Sequence, residues 1–507
     1  MAIGTESEAI DVAKQLLAVR RDECKRLDLI RSYIRGNENR VFLPNRAGRE
    51  HRELVEMSLT NIMPLVVSTF AQNLFIEGFR ARRKSQNAKS WALWQANRMD
   101  ARQSGLFRSA VEYGLAYSTV LPGKIDGERS ALMSLYSPRM LTAVYDDPIG
   151  DEWPVYALAV RQGYDKDSGK YVRRLVLLDE KHFINMVAAV DSDEIKSVTT
   201  EGDIEHGLTV TPVVRWLAAG GNLDDQSRGE VEPLMRPQDS LNQTTFGLRK
   251  TERDQGFPQR FATGVEEELD ENNNPVEPFQ GGSDRYVVNS SADASFGQFP
   301  AASPDGYLNS RQSTLRIITA IAQMAPHALL VSDGITNLSA EALAALENAQ
   351  QRKIGEYKTS LGESAEQMLR LASKAAGDDQ GWQERSAQVV WRDTESRSLA
   401  QVADALGKLA QMLSIPPKAM WEMAVDLLHY TQEDLERWVK YADEETGLSE
   451  AATQEAIARE ELNAATRRIA PLADETAEAP DVVPAGTTGT ARPPRARRSP
   501  VAAGADR

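Results

Sequence analysis

The segment between Glu230 and Ala325 constrains the fold more than any other part of the chain. Residues from about 230 to 255 read as one helix, but its apolar positions are sparse: Leu234, Leu241, Phe246 and Leu248 stand among Gln, Asn, Thr and charged residues on most faces. Such a helix cannot bury a wide apolar stripe in its own domain, so it must be solvated or pack between subunits. An irregular insert follows. It has strand candidates at residues 260–263 and 285–288, an acidic run of Glu266, Glu267, Glu268, Asp270 and Glu271, and the turn-forming Asn272-Asn273-Asn274-Pro275. Ser303 then caps a second helix with Pro304 in its first turn. That helix runs through Leu308, Leu315, Ile318, Ile321 and Met324 and stops near Pro326. Two helices therefore flank a small β insert, an up-and-back excursion from a larger body.

The body precedes and follows this excursion. Ile10, Leu16, Leu17, Cys24, Leu27, Ile30 and Ile34 predict a long amphipathic helix ending near Gly36. Further helices are predicted after Asn61 with Pro64 in the first turn, around Trp91 and Trp94, and from about Asp100 to Tyr113, so the first hundred residues read as all-helical. Short β-rich runs at 116–121, 131–136, 141–145, 155–161 and 171–178 follow. Turn signals separate them at Pro122-Gly123, Asp126-Gly127, Asp146-Asp147-Pro148 and Asp167-Ser168-Gly169, and they predict an antiparallel meander closing near residues 212–216. After the excursion, residues 326–338 read as a loop centred on Asp333-Gly334. Ser339 then opens a helix to about Ala376, roughly 55 Å long, with Gly355 and Gly362 as bend points. Residues 388–391 read as a lone strand joining the meander, and helices follow through Leu406 and Leu409, around Trp421, and after Thr431. Residues 447–507 read as a disordered tail, because few large apolar residues remain to drive folding.

Formal net charge is −15 over 507 residues, which argues against tight, sequence-specific nucleic-acid binding. Cys24, the one cysteine, rules out an intrachain disulfide or a cysteine-based zinc site and reads as core. No signal peptide is read in residues 1–8, and the apolar run 62–70 is too short to span a bilayer, so no membrane partner is expected. Catalytic signatures are missing: there is no phosphate loop ending in Gly-Lys-Ser/Thr, no Gly-x-Ser-x-Gly and no His-Glu-x-x-His. His51, His182, His206, His327 and His429 are scattered singly, and Asp146-Asp147 before Pro148 reads as a turn rather than a metal pair. No enzyme, cofactor or metal is expected. Arg249, Lys250 and Arg253 on the sparse helix read either as contacts to DNA phosphates or a neighbouring subunit, or as a solvated face beside Glu252 and Asp254. Arg492, Arg495, Arg497 and Arg498 read first as a solvated tail and second as a non-specific contact to DNA or scaffold.

The order of these parts, with Val231-Glu232-Pro233-Leu234, Asp239-Ser240-Leu241-Asn242 and Asn337-Leu338-Ser339-Ala340-Glu341-Ala342-Leu343, resembles the portal (head-to-tail connector) proteins of tailed phages, of the siphophage type that infects actinobacteria. The resemblance implies an α+β, mostly helical portal fold and a ring oligomer of twelve subunits. It implies a wing at 1–229, stem helices at 230–256 and 303–325, a clip at 257–302, a tunnel loop at 326–338, a long wing helix and returning strand at 339–395, and a crown at 396–446. It also implies a channel for DNA packaging and ejection at one capsid vertex of the virion, assembled in the host cytoplasm. The implied partners are double-stranded DNA bound non-specifically, the major capsid protein, scaffold, the terminase large subunit and a head-completion (adaptor) protein. His327, Leu329, Leu330, Val331, Asp333, Gly334 and Asn337 would line the channel. Arg260, Glu266, Glu267, Glu268, Arg285 and Tyr286 would lie in the clip that docks partners. The tunnel segment holds one acid and no Lys or Arg, so any contact with DNA there is steric. The alternatives are another capsid-associated minor head protein or a head-associated enzyme.

Overall fold

The computed structural model describes residues 2–37, 41, 49–81, 84–165, 170–191, 194–218, 228–256, 260–263, 293, 295–298, 303–329 and 340–392, with scattered helical residues between 404 and 461. The chain divides into two units, Met1–Ser396 and Arg397–Arg507. In the second, residues 437–444 are helical and Lys408 pairs with Asp404 one turn away at 2.6 Å.

The first unit is built as the patterning predicts, α+β with long helices. Helix α1 (Glu6–Arg35) begins where the Thr5 hydroxyl accepts from the Glu8 N–H, and it ends at Gly36, whose φ of 70° suits a residue without a Cβ. Its two halves serve different cores. Ala9, Ala13 and Leu16 pack on a sheet face carrying Leu158, Leu175, Ile184 and Met186. Leu27, Ile30 and Tyr33 enter the main core with Phe70, Phe107 and Trp216. Cys24 is only half-buried, on the side of α1 between these contacts.

Helices α2 (Arg49–Ser58) and α3 (Met63–Ala71) follow. Residues 51–71 are apolar and long enough to cross a membrane as one helix. Here they are interrupted at residues 59–62, and Met63, Val66, Val67 and Phe70 are buried in the core. Strand β1 (Ile76–Arg80) then breaks the expected all-helical run before α4 (Lys84–Ala96) and α5 (Met99–Tyr113).

Strands β2 (Leu115–Ile125), β3 (Glu128–Tyr136), β4 (Leu141–Val144), β5 (Tyr156–Asp165), β6 (Lys170–Leu178), β7 (His182–Asp191), β8 (Glu194–Glu205) and β9 (Val213–Leu217) form two antiparallel sheets, not one meander. Their orders are β3-β2-β9 and β4-β5-β6-β7-β8. Pro122-Gly123 is not a turn: β2 runs through it and reverses at Asp126-Gly127, both at positive φ as a tight hairpin requires. Asp146-Asp147 does form a turn, in which the Asp147 carboxylate accepts from the Ile149 N–H at 3.0 Å; this contact and the Gly150 N–H hold its pKa below the usual carboxylate range. Asp167-Ser168-Gly169 lies outside the described residues.

The excursion comprises α6 (Met235–Gly256), strands β10 (Arg260–Thr263) and β11 (Ser295–Gln298), and α7 (Asp305–Ala322). The body resumes with α8 (Ala340–Ala376), α9 (Asp379–Gln383) and β12 (Gln388–Trp391). Strand β12 joins neither large sheet. It pairs antiparallel with β1 as a separate ribbon, and β12 covers the face of α8 where Gly362 admits Val389 and Trp391. Gly362 thus serves close packing, and α8 runs unbroken through it and through Gly355.

Where α5 ends, Gly229 presses against its last turn: a Cβ there would lie 2.1 Å from the Glu112 carbonyl oxygen. The Glu230 N–H donates to the Val111 carbonyl at 2.9 Å. Burial raises the Glu112 carboxyl to about 7, and its place at a helix C-terminus also disfavours the anion. A raised carboxyl pKa means the folded state binds more protons than the unfolded state between about 4.5 and 7, so this group costs stability as pH rises through that window. Glu112→Gln is therefore expected to raise the thermal midpoint at pH 8 and to change it little at pH 4.5, as read by calorimetry at the two pH values.

Candidate functional site

Helix α6 solves its shortage of apolar residues by burying polar ones with their partners. Gln238, Asn242, Thr245 and Thr251 are buried beside Leu241, Phe246 and Leu248. Gln238 and Asn242, one turn apart, grip the segment between α2 and α3. The Gln238 amide donates to the Thr60 carbonyl at 2.7 Å and accepts from the Ile62 N–H at 3.2 Å, while Asn242 accepts from the Thr60 N–H at 3.1 Å. The two amides also bond each other at 3.0 Å. Thr245 and Thr251 return their hydroxyls to the carbonyls of Leu241 and Gly247 within α6. The buried face is therefore satisfied without being apolar, which sequence periodicity alone does not register.

Helix α1 fixes the start of α6. The Arg26 guanidinium grips the Glu232 carboxylate through two nitrogens at 3.1 and 2.9 Å, and the Tyr33 hydroxyl donates to Asp239 at 2.9 Å. Helix α7 lies along α6, with Thr314, Leu315, Ile318, Thr319 and Ala322 buried. The helices touch at Gly247, where a Cβ would meet the Tyr307 ring at 2.4 Å. Of the residues expected to run along α7, Leu315, Ile318 and Met324 are buried, whereas Leu308 and Ile321 are exposed, as are Tyr307 and Ile317. Ile317 and Ile321, one turn apart, share one exposed flank of α7, whereas the Tyr307 ring lies against Gly247 of α6, so α7 has apolar residues on its covered side and on one uncovered flank.

Both feet of this hairpin meet on α8. Glu230 and Lys353 pair at 2.7 Å with side chains 7% and 15% exposed. The Tyr357 hydroxyl donates to the same carboxylate, and the Lys353 ammonium also donates to the Ala322 carbonyl at 3.0 Å, at the end of α7. Phe70 supplies a ring face 4.9 Å from Lys353 and an edge-to-face partner for Tyr357. Burial and Glu230 push the Tyr357 phenol far above its ordinary pKa, so it stays a donor. Gln323 ends α7 at a φ of 56°, and Gln350 accepts from the Ala325 N–H at 2.9 Å. Sequence reading missed this cluster. Its only signal was Lys353 and Tyr357 one turn apart beside buried Ile354 and Leu361.

The candidate channel residues scatter. His327 lies 3.4 Å from Glu347 on α8 and Leu329 packs partly buried on the main core, so both rest on the body rather than point away from it. Leu330, Val331, Asp333, Gly334 and Asn337 lie outside the described residues. On α6, Arg249 pairs with Glu252 at 3.0 Å on an exposed surface, Lys250 is exposed, and Arg253 is half-buried. Arg260 is in β10 opposite Gln298 of β11. Glu266, Glu267, Glu268, Arg285, Tyr286 and the expected strand at 285–288 lie outside the described residues, and β11 was not foreseen.

The family described as "Phage portal protein, SPP1 Gp6-like" matches residues 13–448. No curated protein matches the chain. Among solved structures, a chain from the neck of a native gene transfer agent particle, determined with C12 symmetry, is similar with a TM-score of 0.44 and 10% identity, covering 76% of this chain and 96% of that one. A chain from the virion of a native gene transfer agent particle is similar with a TM-score of 0.40 and 11% identity over 76% of this chain and 99% of that one.

The buried amides of α6 generate a direct test. Asn242→Leu leaves the Thr60 N–H without its acceptor and removes the bond from Gln238. It is expected to cost about 1–3 kcal/mol in chemical denaturation, whereas Ser240→Ala on the exposed side of the same helix should cost little.

Proposed function

The chain belongs to the phage portal protein family of the SPP1 Gp6-like type, and from that membership we propose that it forms a closed ring whose central hole conducts DNA into and out of the capsid. The observation that carries this reading is the outer face of α7. Among the described residues, four of the fifteen large exposed hydrophobic side chains lie on this one 18-residue helix, and Ile317 and Ile321 stand one turn apart on its outer flank. A second copy beside the hairpin covers that face, and repetition of one heterologous contact closes a ring. The stem is then α6 and α7, rooted in the body by Glu230 and Lys353, with β10 and β11 at its far end as the start of the clip.

The helices of the hairpin carry six basic and four acidic side chains in a chain of net charge −15. A slight positive balance there attracts phosphate weakly, and the acidic remainder prevents tight capture, which suits a conduit that must let DNA slide. Twelve copies, a place at one capsid vertex of the virion and assembly in the host cytoplasm complete the proposal. So do partners: terminase and a head-completion protein at the clip, and the major capsid protein and scaffold around the wing. The family is structural, and no reaction is assigned to this chain.

Two measurements test the proposal. Wild-type protein should sediment as a ring of about twelve protomer masses, and Ile317→Asp combined with Ile321→Asp should sediment as single copies with an unchanged far-ultraviolet spectrum. Deleting residues 334–338 should leave the ring intact and impair packaging or retention of DNA; loss of the ring on that deletion would make the segment a brace, not a channel element.

A further inference from the structure

Helix α8 carries a second pattern beneath its apolar one. Gln350, Lys353, Tyr357, Ser360, Ser364 and Gln367 alternate at spacings of three and four, which places them on one face. The first three hold the hairpin: Gln350 takes the Ala325 N–H, Lys353 takes Glu230 and the Ala322 carbonyl, and Tyr357 takes Glu230. The last three hold the body: Ser360 donates to the Leu217 carbonyl at 2.9 Å, Ser364 to the Arg215 carbonyl at 3.0 Å, and Gln367 to the Glu152 carbonyl at 2.7 Å. The two halves differ in chemistry. The body half uses neutral groups and backbone carbonyls of strand β9 and the loop before β5. The hairpin half depends on one buried ion pair.

We propose that Glu230, Lys353 and Tyr357 form a latch that clamps both feet of the α6–α7 hairpin to α8, and that opening it loosens the base of the hairpin while the body stays folded. The reason lies in how a buried pair fails. Either charge left alone in that site is strongly unfavourable, so Glu230 and Lys353 leave together or not at all, and intermediate positions are disfavoured. When they leave, Lys353 also releases Ala322, so the α6 foot and the α7 foot lose their charged contacts to α8 in one event, with Gln350 on the Ala325 N–H and Arg26 on Glu232 as remaining tethers. The bonds of Ser360, Ser364 and Gln367 involve none of these atoms and remain. The latch is a property of the single chain and does not depend on the ring; within a conduit it is the joint about which the stem adjusts to passing DNA.

Hydrogen exchange read by mass spectrometry on the full-length protein tests the latch. Glu230→Gln with Lys353→Met removes both charges and leaves neither partner stranded. Peptides covering 232–245 and 314–325 are expected to exchange about ten-fold faster, a one-decade rise in local opening, with β2, β5 and β9 at wild-type rates. Unchanged rates in the hairpin overturn the proposal, and so does an equal acceleration in β2 and β9, which makes the cluster a brace for the whole fold. If the double variant does not fold, Tyr357→Phe removes one donor only. It should accelerate the same two segments by less; hairpin rates identical to wild type in that variant overturn the latch as well.

Discussion

Glu230 is a carboxylate almost entirely withdrawn from water, and the hairpin of α6 and α7 depends on how that charge is compensated. Lys353 and Tyr357 of α8 supply the compensation, and the same lysine reaches the last turn of α7. Such a pair contributes little net stability against an apolar replacement, because desolvating two ions cancels most of their attraction. Its consequence is positional: losing one partner costs about 3–5 kcal/mol, so arrangements of the two feet that part the pair by halves are disfavoured. Gly229, pressed on the end of α5, and the Arg26–Glu232 contact fix the chain immediately around that carboxylate.

Above this anchor the hairpin resolves a conflict between polarity and packing. Helix α6 turns a polar face inward and satisfies it with the backbone at Thr60 and Ile62, with its own carbonyls, and with the Gln238–Asn242 contact. Helix α7 supplies apolar residues to both of its sides. The inward side completes the core through Leu315, Ile318 and Ala322. The outward flank, with Ile317 and Ile321, is exposed among the described residues of the chain. In the conduit reading that uncovered side is where the next copy stands, and burial of aliphatic surface there, at about 25 cal/mol per Å² of apolar area, drives assembly.

Much of this was legible in the sequence because it depends on local rules. Thr5 and Gly36 bound α1, Pro64 and Asn61 open α3, and the two hairpin helices with a strand at 260–263 follow from caps and periodicity. What was not legible depends on contacts between distant segments. Strand β1 has too few residues and too strong a helical context to announce itself, and it exists because β12, more than 300 residues later, pairs with it. The division of the strands into two sheets is equally non-local. The expectation that α6 could not bury a face of its own was half right: it buries no wide apolar stripe, but amides and hydroxyls with designated partners do the packing. Ile321 and Ile318 look alike in sequence, and only the placement of α6 decides which of them faces inward. The Glu230 cluster was missed because its members come from three segments more than a hundred residues apart in part, each unremarkable alone.

Electron cryo-microscopy of the purified full-length protein, viewed down the particle axis, tests the central claim most directly. The account predicts a closed ring around an open bore, with Ile317 and Ile321 of each copy covered by the stem of the next. Isolated copies with that face of α7 against solvent, or a ring closed through other surfaces with the hairpins splayed apart, would contradict it.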